Sequence, residues 1–276
     1  VDGKDLMVNG KRTEVFQVRD PKDIDWKKHD VDIVVESTGK FTEVADVQGH
    51  LDAGAKKVLI TAPCSDPKIP NIVMGVNDED VNLDNYQVLS NASCTTNCVA
   101  PVLKVLNDEF KIESAFVSTI HAFTYTQNLL DNSNPEDFRR ARATTESIIP
   151  TTTGAMKAIS KIIPDLEGKV DGMAFRIPIP TVSCIYVVAK LGKDVSVAEL
   201  NKMFKTYESQ DLHGILSTSE EPLVSIDFKG NTHSAIVDLP NTKVLPGGQV
   251  QVMAWYDNEW GYICRVLDLI RWMSVK

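Results

Sequence analysis

The sequence has no apolar run approaching the roughly 20 residues a membrane-spanning helix needs, and residues 1–30 are polar, without a leader-type segment. Its five cysteines, spread over 276 residues, follow no repeating interval. That excludes a disulfide framework and makes a reducing compartment, the cytoplasm, the expected location. No second Cys/His pair stands at zinc-finger spacing from Cys94 and Cys98, so a metal pair at i, i+4 is the lesser reading and no metal is expected. Internal repeats and low-complexity tracts are absent. The net charge of −9 gives no general basic footprint, so neither a specific nucleic-acid partner nor a membrane partner is expected. An anionic substrate would have to be met by local arginines and helix termini. The remaining composition, 43% apolar and 24% charged, is that of a soluble globular protein long enough for one large domain or two ordinary ones. The first residue is Val rather than Met, which points to a processed, truncated or partial chain.

The first third alternates buried strand-like runs with helix-like ones. Val31–Glu36 and Lys57–Thr61 read as strands, as do Asn71–Val76 and Tyr86–Leu89, and Phe41–Ala53 reads as a helix stopped by Gly54. Such alternation predicts a parallel sheet covered on both faces, with ligands beyond the strands' carboxyl ends. Ser37-Thr38-Gly39 and Thr61-Ala62-Pro63 sit at those ends. Later, strands predominate: Ser114–Ala122, Met173–Ile177, Ser183–Leu191, Leu223–Phe228, Ala235–Leu239 and Gln249–Tyr256, with a helix over Ser196–Glu208. That order predicts an α+β second domain with a mainly antiparallel sheet. A long polar stretch, Thr124–Pro150, carries an arginine cluster, and Trp260–Met273 reads as a closing helix.

The chain turns on Ser90-Asn91-Ala92-Ser93-Cys94-Thr95-Thr96-Asn97-Cys98, set between a strand-like run and a helix-like one. A cysteine at a helix start meets free backbone N–H groups and the positive end of the dipole, both favouring thiolate. A buried structural cysteine is the competing reading. A nucleophilic Cys94 needs a base, and His121, at the end of the next strand, is the first candidate. Thr153-Gly154 at a helix start, Arg140 in the long loop and Arg176 at a strand end are candidate anion sites. Together they suit a phosphorylated carbonyl substrate attacked by sulfur. Pro101 is expected to bend its helix or remove a bond from it.

These residues resemble the glyceraldehyde-3-phosphate dehydrogenase family. The nine-residue Cys94 signature matches, followed in order by Arg139-Arg140-Ala141-Arg142-Ala143, Ser147–Gly154, Met173–Pro178 and Trp255–Tyr262. Val1–Lys4, Glu36–Gly39 and Val73–Asn77 match upstream. The resemblance implies Cys94 as nucleophile and His121 as its base. Thr124 and Arg176 would hold the substrate's phosphate. Ser93, Thr95, Arg140, Thr153 and Gly154 would contact substrate or inorganic phosphate. Arg19, Thr38, Thr61 and Asn258 would contact the cofactor, NAD, with NADP as the alternative. It further implies a homotetramer, a nucleotide domain over 1–92, a catalytic domain over 93–258, and a helix, 259–276, returning to the nucleotide domain.

The chain departs from the family in two ways. No Gly-x-Gly-x-x-Gly turn occurs, so the doubly wound domain is expected to be incomplete and to hold a dinucleotide poorly. Asn132-Ser133 after Leu130-Asp131 matches neither the NAD-type nor the photosynthetic NADP-type pattern. Competing functions are an erythrose-4-phosphate dehydrogenase, a thiol hydrolase and a non-catalytic truncated binding protein. Thr151-Thr152-Thr153-Gly154 favours the triose enzyme over the first.

Overall fold

A computed structural model describes residues 5–135 and 137–275; the Val1–Lys4 part of the resemblance lies outside them. A short hairpin, β1 (Leu6–Val8) and β2 (Lys11–Thr13), comes first. It is followed by a parallel sheet in the order β3 (Ile33–Glu36), β4 (Lys57–Ile60), β5 (Val88–Ser90). Alternation along β4 explains its two coats. Val58 and Ile60 pack with Val47 of helix α1 (Val44–Asp52). Leu59 points the other way, against Leu269 and Met273 of the last helix, α5 (Trp260–Val275). Helices thus cover both faces, as the buried strand pattern requires.

The second sheet has eight strands. They are β6 (Ile112–Ala122), β7 (Ile149–Thr151), β8 (Val170–Ile177), β9 (Ser183–Leu191), β10 (Leu216–Ser219), β11 (Ala235–Asp238), β12 (Lys243–Leu245) and β13 (Gln249–Tyr256). The path runs β10-β11-β13-β9-β6-β8-β7, with β12 on β13. Only β10–β11 and β6–β8 are parallel, so the sheet is mainly antiparallel. Three helices cover one face: α2 (Cys94–Phe110), α3 (Ala155–Ile162) and α4 (Val197–Ser209). The largest buried cluster joins them to β6, β9 and β13. Phe116 and Met173, on β6 and β8, are exposed.

Two expected strands do not form. Asn71–Val76 keeps only a bridge from Asn71 to Ser90. The Asn77 carboxamide takes the Val73 N–H at 2.8 Å and donates to the Asn71 carbonyl at 3.0 Å, so a side chain closes the turn a ladder would have extended. In Leu223–Phe228, residues Ser225–Phe228 form a 3-10 turn, because the Asp227 carboxylate accepts the Val224 N–H at 2.9 Å. Pro101 stands inside α2, where it can offer no N–H to the Asn97 carbonyl.

Candidate active site

β5 delivers the chain to the site and α2 fixes the thiol. Between them Ala92 takes a left-handed φ of 52°, a conformation that costs a β-carbon-bearing residue about 1–2 kcal/mol. Two hydrogen bonds hold it: its N–H donates to Ser90 Oγ at 3.0 Å, and its carbonyl accepts the Tyr262 hydroxyl of α5 at 2.9 Å. The reversal leaves Ser93 as N-cap, its Oγ accepting the Thr96 N–H at 3.0 Å. Cys94 is therefore the first helical residue, where backbone N–H groups have no intrahelical partner.

His121 lies 3.4 Å away, Nε2 to Sγ. It sits on β6, paired in register with Arg176 of β8. A cavity of about 240 Å³ opens over the pair, lined among others by Ser93, Cys94, Thr95, His121, Arg140, Thr153, Gly154 and Arg176. Eight of the residues read from the sequence thus share one pocket. Arg140 is held by Nε and Nη2 bonds to Thr151 Oγ1 at 3.0 and 2.8 Å. Gly154 is the N-cap of α3, with Thr153 Oγ1 accepting the Ala155 N–H at 3.2 Å. The open polar groups are mostly donors, which suits anions.

Thr124 does not line this pocket. Its hydroxyl is turned to Thr126 Oγ1 and Gln127 Oε1, closing a local turn instead. Three further polar residues contribute: Tyr256 and Thr152 stand inside the matching stretches Trp255–Tyr262 and Thr151–Gly154 without being read as site residues, and Thr119 stands in none. The Tyr256 hydroxyl ties Thr95 Oγ1 at 3.0 Å to Thr119 Oγ1 at 2.9 Å, and its ring meets His121 edge-on at 5.9 Å. Thr119 and Thr152 also line the cavity. Strand alternation could have pointed to Thr119, two residues before His121 on the same face.

Charge at the pair is set by burial and by Arg176. Burial pushes the Cys94 thiol up; the Arg176 charge, the Thr95 side chain and the N–H groups of Thr95 and Cys94 pull it back. The N–H groups at the helix start favour thiolate, as the local sequence reads, and desolvation outweighs them. His121 falls from 6.5 to about 4, through burial first and the Arg176 charge second. Cys64 and Cys184 rise to about 11 and about 12 by burial, and Cys98 rises by burial too, so these three are packing residues. All five cysteines are free, and the described residues include no group of side chains able to hold a metal.

At the carboxyl ends of β3 and β4, Thr38 and Thr61 are drawn together by Glu36. Its Oε1 accepts the Thr38 N–H at 2.7 Å and the Thr38 hydroxyl at 2.5 Å, and its carbonyl accepts the Thr61 hydroxyl at 3.3 Å. His50 supports Glu36 at 3.3 Å and takes the Trp26 N–H at 3.1 Å, which places the His50 proton on Nε2, facing Glu36. Arg19 is exposed and without a polar partner among the described residues. Asn258 is buried, and its Oδ1 accepts the Ser183 hydroxyl at 2.9 Å.

A two-domain frame, one parallel sheet and a cysteine–histidine pair ringed by anion donors make up the frame of an oxidoreductase. Comparison with known proteins narrows this. A family model described as the glyceraldehyde 3-phosphate dehydrogenase C-terminal domain matches residues 93–258, and one for the NAD binding domain matches residues 1–44. Glyceraldehyde-3-phosphate dehydrogenase 2 of Bacillus subtilis is 50% identical over all of this chain and 81% of its own length. The enzymes of Priestia megaterium and Geobacillus stearothermophilus are 51% and 50% identical, again over the whole chain and 82% of their own lengths. The chain belongs to the glyceraldehyde-3-phosphate dehydrogenase family.

The family implies NAD, and the nicotinamide end fits. With Oδ1 anchored on Ser183, the Asn258 Nδ2 donors have no partner among the described residues and remain available to an amide carbonyl. No Gly-x-Gly-x-x-Gly turn occurs in this sequence.

Proposed function

We propose that this chain carries out the phosphorylating oxidation of glyceraldehyde 3-phosphate with NAD, with Cys94 as nucleophile and His121 as its base. The supporting observation is the 3.4 Å approach of His121 Nε2 to Cys94 Sγ inside a pocket that also holds Arg140, Arg176 and Thr153-Gly154. His121 takes the Cys94 Sγ proton as sulfur attacks the aldehyde carbon; the C–S bond forms, the carbonyl π bond opens, and the same proton is handed on to the oxyanion, giving a thiohemiacetal. The oxyanion forms beside the free N–H groups at the start of α2. His121 removes the hydroxyl proton as the C–H hydride leaves, and a thioester remains. Asn258, Thr38 and Thr61 would hold NAD, which would supply the acceptor for that hydride. Inorganic phosphate then attacks the thioester carbon, the C–S bond breaks, and an acyl phosphate leaves with the Cys94 thiolate restored.

Two phosphate groups must be held during turnover. Arg176, beside His121, suits the substrate's own phosphate; Arg140 with Thr153-Gly154 suits the attacking one. Ser93 and Thr95 flank the sulfur and complete the wall. The long loop displays Tyr125, Leu129, Leu130 and Phe138 to solvent. A homotetramer that covers these apolar side chains is the assembly we infer. Free cysteines throughout fit a cytoplasmic location. Among the described residues no helix is long and apolar enough to cross a membrane.

Cys94→Ser tests the assignment. NADH formation from glyceraldehyde 3-phosphate, NAD and phosphate should disappear, and near-normal turnover in that variant would overturn it.

A further inference from the structure

Where β13 runs into α5, two neighbouring side chains are held in different ways. Asp257 is bonded at both oxygens: Oδ1 accepts the Glu259 and Trp260 N–H groups at 2.9 Å, and Oδ2 accepts the Gly230 N–H at 2.8 Å. Those bonds fix the backbone at the start of α5. The Asn258 carboxamide has one hydrogen-bond partner among the described residues, the Ser183 hydroxyl, 2.9 Å from Oδ1. Ser183 is 1% exposed and pairs in register with Tyr256, so Asn258 stands two residues past the one it faces across the β9–β13 pair.

The single proton of Ser183 decides which way that carboxamide points. Ser183 Oγ accepts the Ala122 N–H at 3.0 Å, beside His121 on β6. Its own proton then has one acceptor in reach among the described residues, the Asn258 carboxamide, and only the amide oxygen can take it. Oδ1 is thereby turned inward and the Nδ2 hydrogens outward. The residue before Ser183 shows how firmly this direction is enforced. Val182 is fully buried and β-branched, yet stands at φ 67°, a region such residues rarely enter. It packs with Phe228 and Ile236, and Leu223 and Trp255 lie against that cluster. On its other side the Thr181 hydroxyl donates to Asp257 Oδ1 at 3.4 Å. Strain of this kind persists where the surrounding contacts over-determine it. Thr181 and Ser183, flanking the strained residue, thus hold Asp257 and Asn258 respectively.

We propose that Ser183 is a positioning residue that fixes the orientation of the Asn258 carboxamide, so that Asn258 offers a ligand N–H donors alone and recognises a carboxamide-bearing ring by its carbonyl oxygen. Without the Ser183 hydroxyl the Asn258 amide is free to turn over and present Oδ1. The site then takes the same ligand group by its amino hydrogens as readily as by its oxygen. Ser183 Oγ also bonds the backbone next to His121, so one buried oxygen aligns the Asn258 donors with the strand that carries the base. The inference rests on the reading of Asn258 as a contact for the nicotinamide of NAD.

The test compares NAD with its thionicotinamide analogue, in which sulfur, a poorer acceptor, replaces the carboxamide oxygen and the amino group is kept. Dissociation constants for both are measured on the full chain by titration calorimetry. The wild type should bind NAD about fivefold more tightly than the analogue, the worth of one good hydrogen bond, and in Ser183→Ala the two should bind within about twofold of each other. Thr181→Val, which loosens the same turn without touching the carboxamide, should keep the wild-type ratio. Ser183→Cys, close to serine in size and a weak donor, should give an intermediate ratio and serves where Ser183→Ala does not fold. A role in packing alone weakens both ligands equally, and an unchanged ratio in Ser183→Ala and Ser183→Cys would overturn the proposal. A second arm needs no cofactor. In the full chain labelled with 15N-asparagine, the Asn258 Nδ2 signals are assigned by their loss in Asn258→Ala. The wild type should show one sharp pair, and Ser183→Ala a doubled or broadened one; identical pairs would also overturn the proposal. A wild-type chain that binds neither dinucleotide, while the Asn258 pair still doubles in Ser183→Ala, supports the hold of Ser183 on the amide and sinks the cofactor reading alone.

Discussion

Tyr256→Phe removes one buried oxygen behind the pocket wall and little else. That oxygen bonds Thr95 Oγ1 at 3.0 Å and Thr119 Oγ1 at 2.9 Å in a fully buried setting. Thr119 keeps a second bond, to the Cys184 carbonyl at 3.3 Å, so its loss is partial. Thr95, also buried, keeps only its weaker side-chain contact with the Cys94 sulfur. Leaving one buried hydroxyl unpaired costs about 1–3 kcal/mol, and the weakened Thr119 bond adds up to about 1 kcal/mol. The phenyl ring retains its edge contact with His121. A net loss of roughly 1–4 kcal/mol follows, which at about 2–4 °C per kcal/mol for a chain of this size lowers Tm by several degrees. Urea unfolding and thermal melts measure it. The decisive arm is a double-mutant cycle. Thr95→Val should be costly in the wild-type chain and nearly free in the Tyr256→Phe background, because the unpaired hydroxyl is then gone, giving a coupling of about 1 kcal/mol. Strictly additive losses, or a melting point within a degree of wild type, would refute the network.

The depressed pKa of His121 makes stability depend on acidity. The folded group titrates at about 4 and the free side chain at 6.5, so between those values the unfolded chain holds the extra proton. Stability should fall as pH drops through that window, by up to about 3 kcal/mol from this group. His121→Asn should flatten urea stability curves between those pH values and lower turnover by about 10²–10⁴-fold at neutrality. Gly172→Ala pushes a β-carbon into the Val117 carbonyl across the β6–β8 pair, which carries His121 and Arg176. We expect about 3 kcal/mol or more of destabilisation, and a native-like denaturation midpoint would contradict it. Asn258→Ala should raise the KM for NAD while leaving the iodoacetamide reactivity of Cys94 within about twofold; equal losses in both would place Asn258 in the packing of the site rather than at the cofactor.

Much of this was legible along the chain. Residues that act through backbone position or through side-chain type in a local motif could be read directly: Cys94 behind its Ser93 cap, His121 at a strand end, Gly154 at the start of α3. The strands of the nucleotide sheet carry their burial in their own apolar runs. Asn71–Val76 and Leu223–Phe228 misled because single side chains, Asn77 and Asp227, captured backbone groups that a strand would have shared with a neighbour. Propensity sums over a window and cannot see one such bond.

Chemical identity, then, was a property of the sequence: a thiol, an imidazole and a set of anion donors, each announced by its own few neighbours. What those groups do to one another was decided only by folding. Two strands, β6 and β13, and the start of α2 bring Thr119 and Thr95 onto the Tyr256 hydroxyl, though Thr95 and Tyr256 stand 161 residues apart. The register of β6 on β8 sets Arg176 against His121 Nδ1. Burial then raises the thiol that a helix start by itself would have lowered. Desolvation and the field of a neighbouring charge depend on distances in space, which no stretch of sequence carries.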